Sequence, residues 1–168
     1  HHPWDPPSGE RHRIPWRELD LPANYPGSAD AAARLLEDKP RHWIEWFTGK
    51  ARFAFETPPD FRPCDVTPDQ LREIDALTHV ENELIDEALG RVLDTIDDKG
   101  WHKDTDVLFT TDHGEMQGDF GMLFKGPYHV DALMRVPLIW RPAPSASVQP
   151  GLVDAPVGHL DIAPTFCH

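Results

Sequence analysis

Residues Thr105 to Lys125 read T-D-V-L-F-T-T-D-H-G-E-M-Q-G-D-F-G-M-L-F-K, an apolar run that ends abruptly in charge. Val107-Leu108-Phe109-Thr110-Thr111 is an apolar, partly β-branched run, which predicts a strand buried on both faces. At its carboxyl end stand Asp112, His113, Gly114 and Glu115. Ligands of open α/β sheets bind just beyond the carboxyl ends of strands. A carboxylate beside an imidazole there is a metal-ligand pairing, because each offers a lone pair to a divalent cation. Gly114, Gly118 and Gly121 allow a tightly turned loop, and Lys125 at its end can return a positive charge to an anion held at the metal.

The rest of the chain frames that stretch. Ala29 to Glu37 favours a short helix that ends before Pro40, and Arg41 to Thr48 carries Trp43, Ile44, Trp46 and Phe47 as a packed helical core. Thr67-Pro68-Asp69-Gln70 is a capping box with proline at the first helical position. Apolar residues at helical spacing follow, from Leu71, Ile74 and Leu77 through Leu84 and Leu89 to Ile96, and Gly100 supplies the stop. This long helix has potential breaks at Asn82 and Gly90, and is expected to pack on the sheet. Val136 to Trp140 predicts a second strand with Pro137 at its start or on an edge, and Pro164 is placed to open a last helix. Helix, strand, loop and strand in that order point to an α/β layer architecture.

Composition limits what the chain can do. With 168 residues it is about one domain long, enough to bury roughly two thirds of its unfolded surface. A formal net charge of −13 repels nucleic acid and anionic membrane, so neither is expected as a partner. Attraction to an anionic small molecule must therefore be local. Cys64 and Cys167 form no disulfide framework or zinc knuckle and read as ordinary thiols. No apolar run approaches the ~20 residues of a membrane span and no signal peptide opens the chain, which favours a cytoplasmic setting. The chain starts at His1 without Met and stops at His168, so it reads as a piece of a longer protein. Several familiar motifs are absent. His113-Gly114-Glu115 lacks the P-C-x-x-C of zinc deaminases, and Pro127 stands where a phosphate loop needs lysine.

Asp112-His113-Gly114-Glu115, Gly118-Asp119, Lys125-Gly126, Arg135-Val136-Pro137-Leu138-Ile139 and Asp161-Ile162-Ala163-Pro164-Thr165 together resemble the sulfatase family of the alkaline-phosphatase superfamily. Order and spacing match the carboxyl-terminal half of its catalytic domain. His1-x-Pro3-Trp4 resembles an additional segment, and the flavour is that of a bacterial arylsulfatase or choline-sulfatase-like enzyme. The resemblance implies an incomplete alkaline-phosphatase-like sheet sandwiched by helices. It makes residues 1–168 a partial catalytic domain, loop-rich with short helices over 1–66 and a helix–strand core over 67–168. It implies hydrolysis of a small-molecule sulfate ester, with phosphonate monoester or phosphodiester hydrolysis as the alternative. A non-catalytic α/β binding module is a third reading.

Residue by residue, the resemblance makes Asp112 and His113 ligands of a divalent cation, calcium with manganese as the alternative. Lys125 would bind the ester oxygens, and His1 would contact the sulfate or protonate the leaving oxygen. Glu115 would support the metal site, while Asp119, His129, Arg135 and His159 read as structural hydrogen-bonders. Many sulfatases carry Asn where His113 stands, and imidazole there also fits the phosphonate and phosphodiester branch. The family's C/S-x-P-x-R, whose first residue becomes formylglycine, matches neither Cys64 nor Cys167. That nucleophile and the remaining metal ligands are expected in an amino-terminal half outside this chain, so the 168 residues alone should neither turn over an ester nor hold metal tightly.

Overall fold

The computed structural model describes residues 4–52, 57–149, 151 and 154–167. His1 and the phenylalanines at 53 and 55 lie outside that set, so the role expected of His1 is not addressed by it. The elements in order are α1 (Ala29–Leu35), α2 (Arg41–Phe47), α3 (Pro68–Asp98), β1 (Val107–Thr110), α4 (Asp131–Met134), β2 (Leu138–Arg141) and α5 (His159–Cys167), with short 3-10 turns between them. The chain is thus α/β. Two helix starts are capped by side chains. Ser28 caps α1 by accepting from the Ala31 N–H, and Thr67 and Gln70 close the reciprocal capping box that opens α3. The α3 helix runs unbroken past Asn82 and Gly90, and the chain leaves it through Gly100 at φ +70°.

Strands β1 and β2 pair antiparallel in the register Val107–Arg141, Leu108–Trp140, Phe109–Ile139 and Thr110–Leu138. Pro137 falls immediately before β2, where its missing N–H leaves no ladder bond unmade. The strand therefore starts two residues later than expected from Val136. Nor is β1 buried on both faces: it is half-buried along its length, and every residue of β2 is exposed. Only two strands pair among the described residues, and α3, the helix expected to cover them, packs elsewhere. Helix α5 meets this sheet through the Trp140–Phe166 ring contact and the His159–Thr110 hydrogen bond. It begins at His159, with Pro164 inside it and not at its start. Asp161 accepts the Gly158 N–H at 2.7 Å and so caps the helix earlier.

The hydrophobic core lies away from the sheet, where α1, α2 and the first half of α3 surround the loop that follows β1. Trp43, Trp46 and Phe47 of α2 are buried, as the aromatic cluster implied, together with Leu36, Leu71, Met116, Met122, Leu123 and Phe124. Helix α3 lies against the turns at Trp16–Glu18 and Trp101–Lys103 and makes no extensive contact with the sheet. The physical reason is where the large apolar side chains sit. The loop carries more of them than the four-residue strand, so the loop docks on Leu71 while Ile85 and Val92 of the distal half stay exposed.

Asp75 of α3 introduces a pH term. Its Oδ1 is buried with no hydrogen-bond partner, and burial raises the carboxyl to about 6. A raised acid binds its proton more tightly in the folded chain. Stability from this group is therefore complete below the unfolded value and is lost as pH rises through about 6. The group is only half-buried, so solvent screening reduces the full shift to about 1 kcal/mol. Asp75→Asn is expected to raise the unfolding free energy from urea titration at pH 8 by that amount and to leave it unchanged at pH 4. Equal gains at both pH values would show that the carboxylate is not the strained group.

Candidate active site

The site is built by the two ends of the loop Met116–Phe124. The loop closes on itself through Gly118 N–H to Met122 O and Met116 N–H to Phe124 O, and backbone at φ > 0 recurs at Gln117, Gly118, Phe120, Gly121 and Phe124. A left-handed Phe124 is unfavourable unless its surroundings hold it. Here they do: its ring lies 4.5 Å from Trp4, 5.4 Å from Phe61 and 6.3 Å from Trp46. The next residue is Lys125. Its backbone position is thus fixed by a buried aromatic cluster.

At the other end, Asp112 and His113 emerge from β1. The His113 N–H donates to Asp112 Oδ1 at 3.0 Å, and the Thr111 hydroxyl donates to the same oxygen at 3.2 Å. The His113 Nδ1 lies 2.7 Å from Gly114 O. A carbonyl can only accept, so Nδ1 carries the hydrogen and, in the neutral ring, Nε2 presents a bare lone pair. That nitrogen is 3.5 Å from Asp112 Oδ2. An exposed carboxylate oxygen and a ring nitrogen oriented from behind form a donor pair suited to a divalent cation. Slight burial pushes the Asp112 carboxyl up, but the His113 ring and N–H and the Thr111 hydroxyl outweigh it, leaving the group below its ordinary value. Two donors do not complete a coordination sphere. Among the described residues, no group of three or more His, Cys, Asp or Glu side chains is placed to hold a metal ion.

Lys125 and His113 line one cleft of about 420 Å³, together with His129, the Tyr128 ring, Leu133 and Met134. Among the described residues, no carboxylate lines it. Burial raises the Glu115 carboxyl above its ordinary value, against the smaller downward pull of the Met116 N–H, Lys125 and His113. Glu115 faces a separate cleft of about 350 Å³, where Asp20, Asp75 and Asp119 also lie and, among the described residues, no Lys or Arg does. Between the two clefts, the Gly114 N–H donates to Leu133 O at 2.9 Å, tying the Asp112–His113 corner to α4.

Of the residues read from sequence, the structure thus brings His113 and Lys125 to one cleft with Asp112 beside His113. The structural roles expected of His159 and Arg135 are seen in the bond to Thr110 and the ion pair with Asp131. Asp119 lines the acidic cleft. His129 departs from its expected structural role: among the described residues it makes no hydrogen bond, and it faces the cleft. Its spacing of four residues from Lys125 across Gly126-Pro127 was the available signal, since such a turn brings its two flanks together. Cys64 and Cys167 are free thiols.

An aspartate–histidine corner, a glycine loop and a returning lysine are the features by which this chain resembles the sulfatases. The sulfatase family model matches residues 12–168, and the chain belongs to that family. Among curated relatives, it is 37% identical over 85 residues to an uncharacterized sulfatase, YidJ, of Escherichia coli (strain K12), covering 51% of this chain and 16% of the relative. It is 32% identical over 107 residues to a choline-sulfatase of Rhizobium meliloti (strain 1021), covering 64% and 20%. It is 34% identical over 86 residues to the multifunctional alkaline phosphatase superfamily protein PehA of Trinickia caryophylli, covering 49% and 16%. The aligned stretch spans no more than 20% of any of these three relatives. No described helix is long and apolar enough to cross a membrane.

Proposed function

We propose that this chain supplies the anion-binding cleft and part of the metal site of a sulfuric ester hydrolase acting on a small-molecule sulfate ester. The observation that carries the reading is one of charge. On a chain of net charge −13, the cleft beside the Asp112–His113 pair is lined, among the described residues, by a lysine and two imidazoles and by no carboxylate. Such a lining offsets the repulsion that an anion meets elsewhere on the surface.

In this reading Asp112 Oδ2 and His113 Nε2 hold a divalent cation, calcium before manganese. The Gly114 carbonyl keeps the imidazole in the ligating tautomer. When bound, the cation would polarise the ester oxygens and stabilise charge that develops on them. Lys125 would hold the ester oxygens from within the same cleft, and preorganised donors of that kind act mainly on the transition state. A formylglycine nucleophile and the remaining ligands belong to sequence outside these 168 residues. His1 would contribute a sulfate contact or a leaving-group proton. The finer comparison is to bacterial arylsulfatases. Imidazole at 113 also supports a second reading, phosphonate monoester or phosphodiester hydrolysis.

The test is turnover by the full-length protein with calcium. It should hydrolyse 4-nitrophenyl sulfate in preference to bis(4-nitrophenyl) phosphate. Lys125→Ala should lower kcat/KM by about 10²–10³. Preference for the diester would replace this reading with the second. Retention of full activity by Lys125→Ala would remove the cleft from the mechanism. The isolated 168-residue chain should show no turnover of either compound.

A further inference from the structure

We propose that His129 is a substrate-contacting residue of this cleft, its imidazole N–H donating to an oxygen of the anion that Lys125 holds; this rests on the reading of the cleft as an anion site. The argument starts from the turn Lys125-Gly126-Pro127-Tyr128-His129. The Tyr128 N–H donates to Gly126 O at 2.7 Å, closing a three-residue turn around Pro127. Tyr128 is 3% exposed. Its ring stacks on His42 at 5.6 Å with 8° between planes and meets the edge of Trp43 at 4.7 Å. The ring also folds over Gly126, where an added Cβ would stand 2.4 Å from Tyr128 Cε2. The middle of the turn is therefore pinned to the core. Its two flanking residues, Lys125 and His129, both line the cleft.

The histidines differ in what their rings do. His42 contacts Pro127 O, His113 contacts Gly114 O and His159 contacts the Thr110 hydroxyl. His129 is exposed and makes no hydrogen bond among the described residues, so its ring is not committed to holding the fold. The two flanks of the turn would also do different work. An ammonium group attracts an anion as a nearly directionless point charge, whereas an imidazole N–H is a single directed donor. Together they fix both the position and the rotation of a tetrahedral anion. Because the turn is already pinned by Tyr128, little backbone freedom is lost when the anion arrives.

The probe is inorganic sulfate, titrated against chloride at constant ionic strength into the full-length protein and followed by NMR of the histidine rings and the Lys125 amide. Saturable shifts at both His129 and Lys125 are expected. His129→Ala should weaken sulfate about tenfold, and His129→Gln should recover part of the loss because its amide N–H can replace the ring donor. His102→Gln, at the far end of α3, should change nothing. Saturable binding at Lys125 with unaltered affinity in His129→Ala would overturn the proposal and leave the anion cleft standing. Absence of saturable shifts at both residues would overturn the proposal and the cleft reading together.

Discussion

Gly114→Ala is expected to destabilise the chain by about 3 kcal/mol or more, although Gly→Ala stabilises many proteins. The added Cβ would lie 1.8 Å from Ala132 O, 2.9 Å from Ala132 C and 3.2 Å from Leu133 Cα. All three are backbone atoms of α4, so no side chain can rotate aside to make room. Relief requires α4 to move away, which breaks the 2.9 Å bond from the Gly114 N–H to Leu133 O and carries the neighbouring His113 with it. The entropy gained by restricting the unfolded chain, about 0.4–1 kcal/mol, is too small to compensate. Gly90 provides the opposite case. It lies inside α3 with nothing within 4 Å of its added Cβ, so Gly90→Ala should stabilise by about 1 kcal/mol. Urea unfolding of the two variants should therefore move the midpoint in opposite directions. Two shifts of the same sign would mean that α4 does not press on the Asp112–His113 corner.

Trp46→Ala should cost about 3–5 kcal/mol, a large share of the 5–15 kcal/mol that holds a typical domain folded. Trp46 is 1% exposed, and its Nε1–H reaches Leu123 O at 3.4 Å. That hydrogen bond is long, so most of the loss comes from the cavity and the missing ring contacts with Phe61 and Phe124. The consequence reaches the cleft, because Leu123 and Phe124 immediately precede Lys125 and Phe124 is held at positive φ by this packing. Trp101, 58% exposed, is the control, and Trp101→Ala should stay within about 0.5 kcal/mol. Thermal denaturation decides the matter: comparable losses from the two substitutions would place the core elsewhere.

Much of the local structure could be read directly from residue types. The Thr67–Gln70 box set the start of α3, Gly100 set its end, and the aromatic spacing of residues 43–47 marked α2 as a buried helix. Capping and helical periodicity act over a few residues, so their causes lie next to their effects in the chain. The same holds for the Asp112–His113 pair, where adjacency alone brings an oxygen and a ring nitrogen within 3.5 Å. Burial was less legible. The run Val107–Thr111 has the composition of a doubly covered strand, yet its cover depends on which elements pack over its two faces, which no local pattern encodes.

What the sequence determined by itself was therefore α1 to α3, the strand that leads to Asp112-His113, and the family to which their order belongs. The tertiary structure alone decided that the loop, and not the strand, fills the core, and that Lys125 and His129 share a cleft with His113. It also decided that Gly114 has no room for a side chain. Each of these depends on contacts between residues distant in the chain. Such contacts form where large apolar surfaces can leave water together, and that choice is made by the whole packing arrangement.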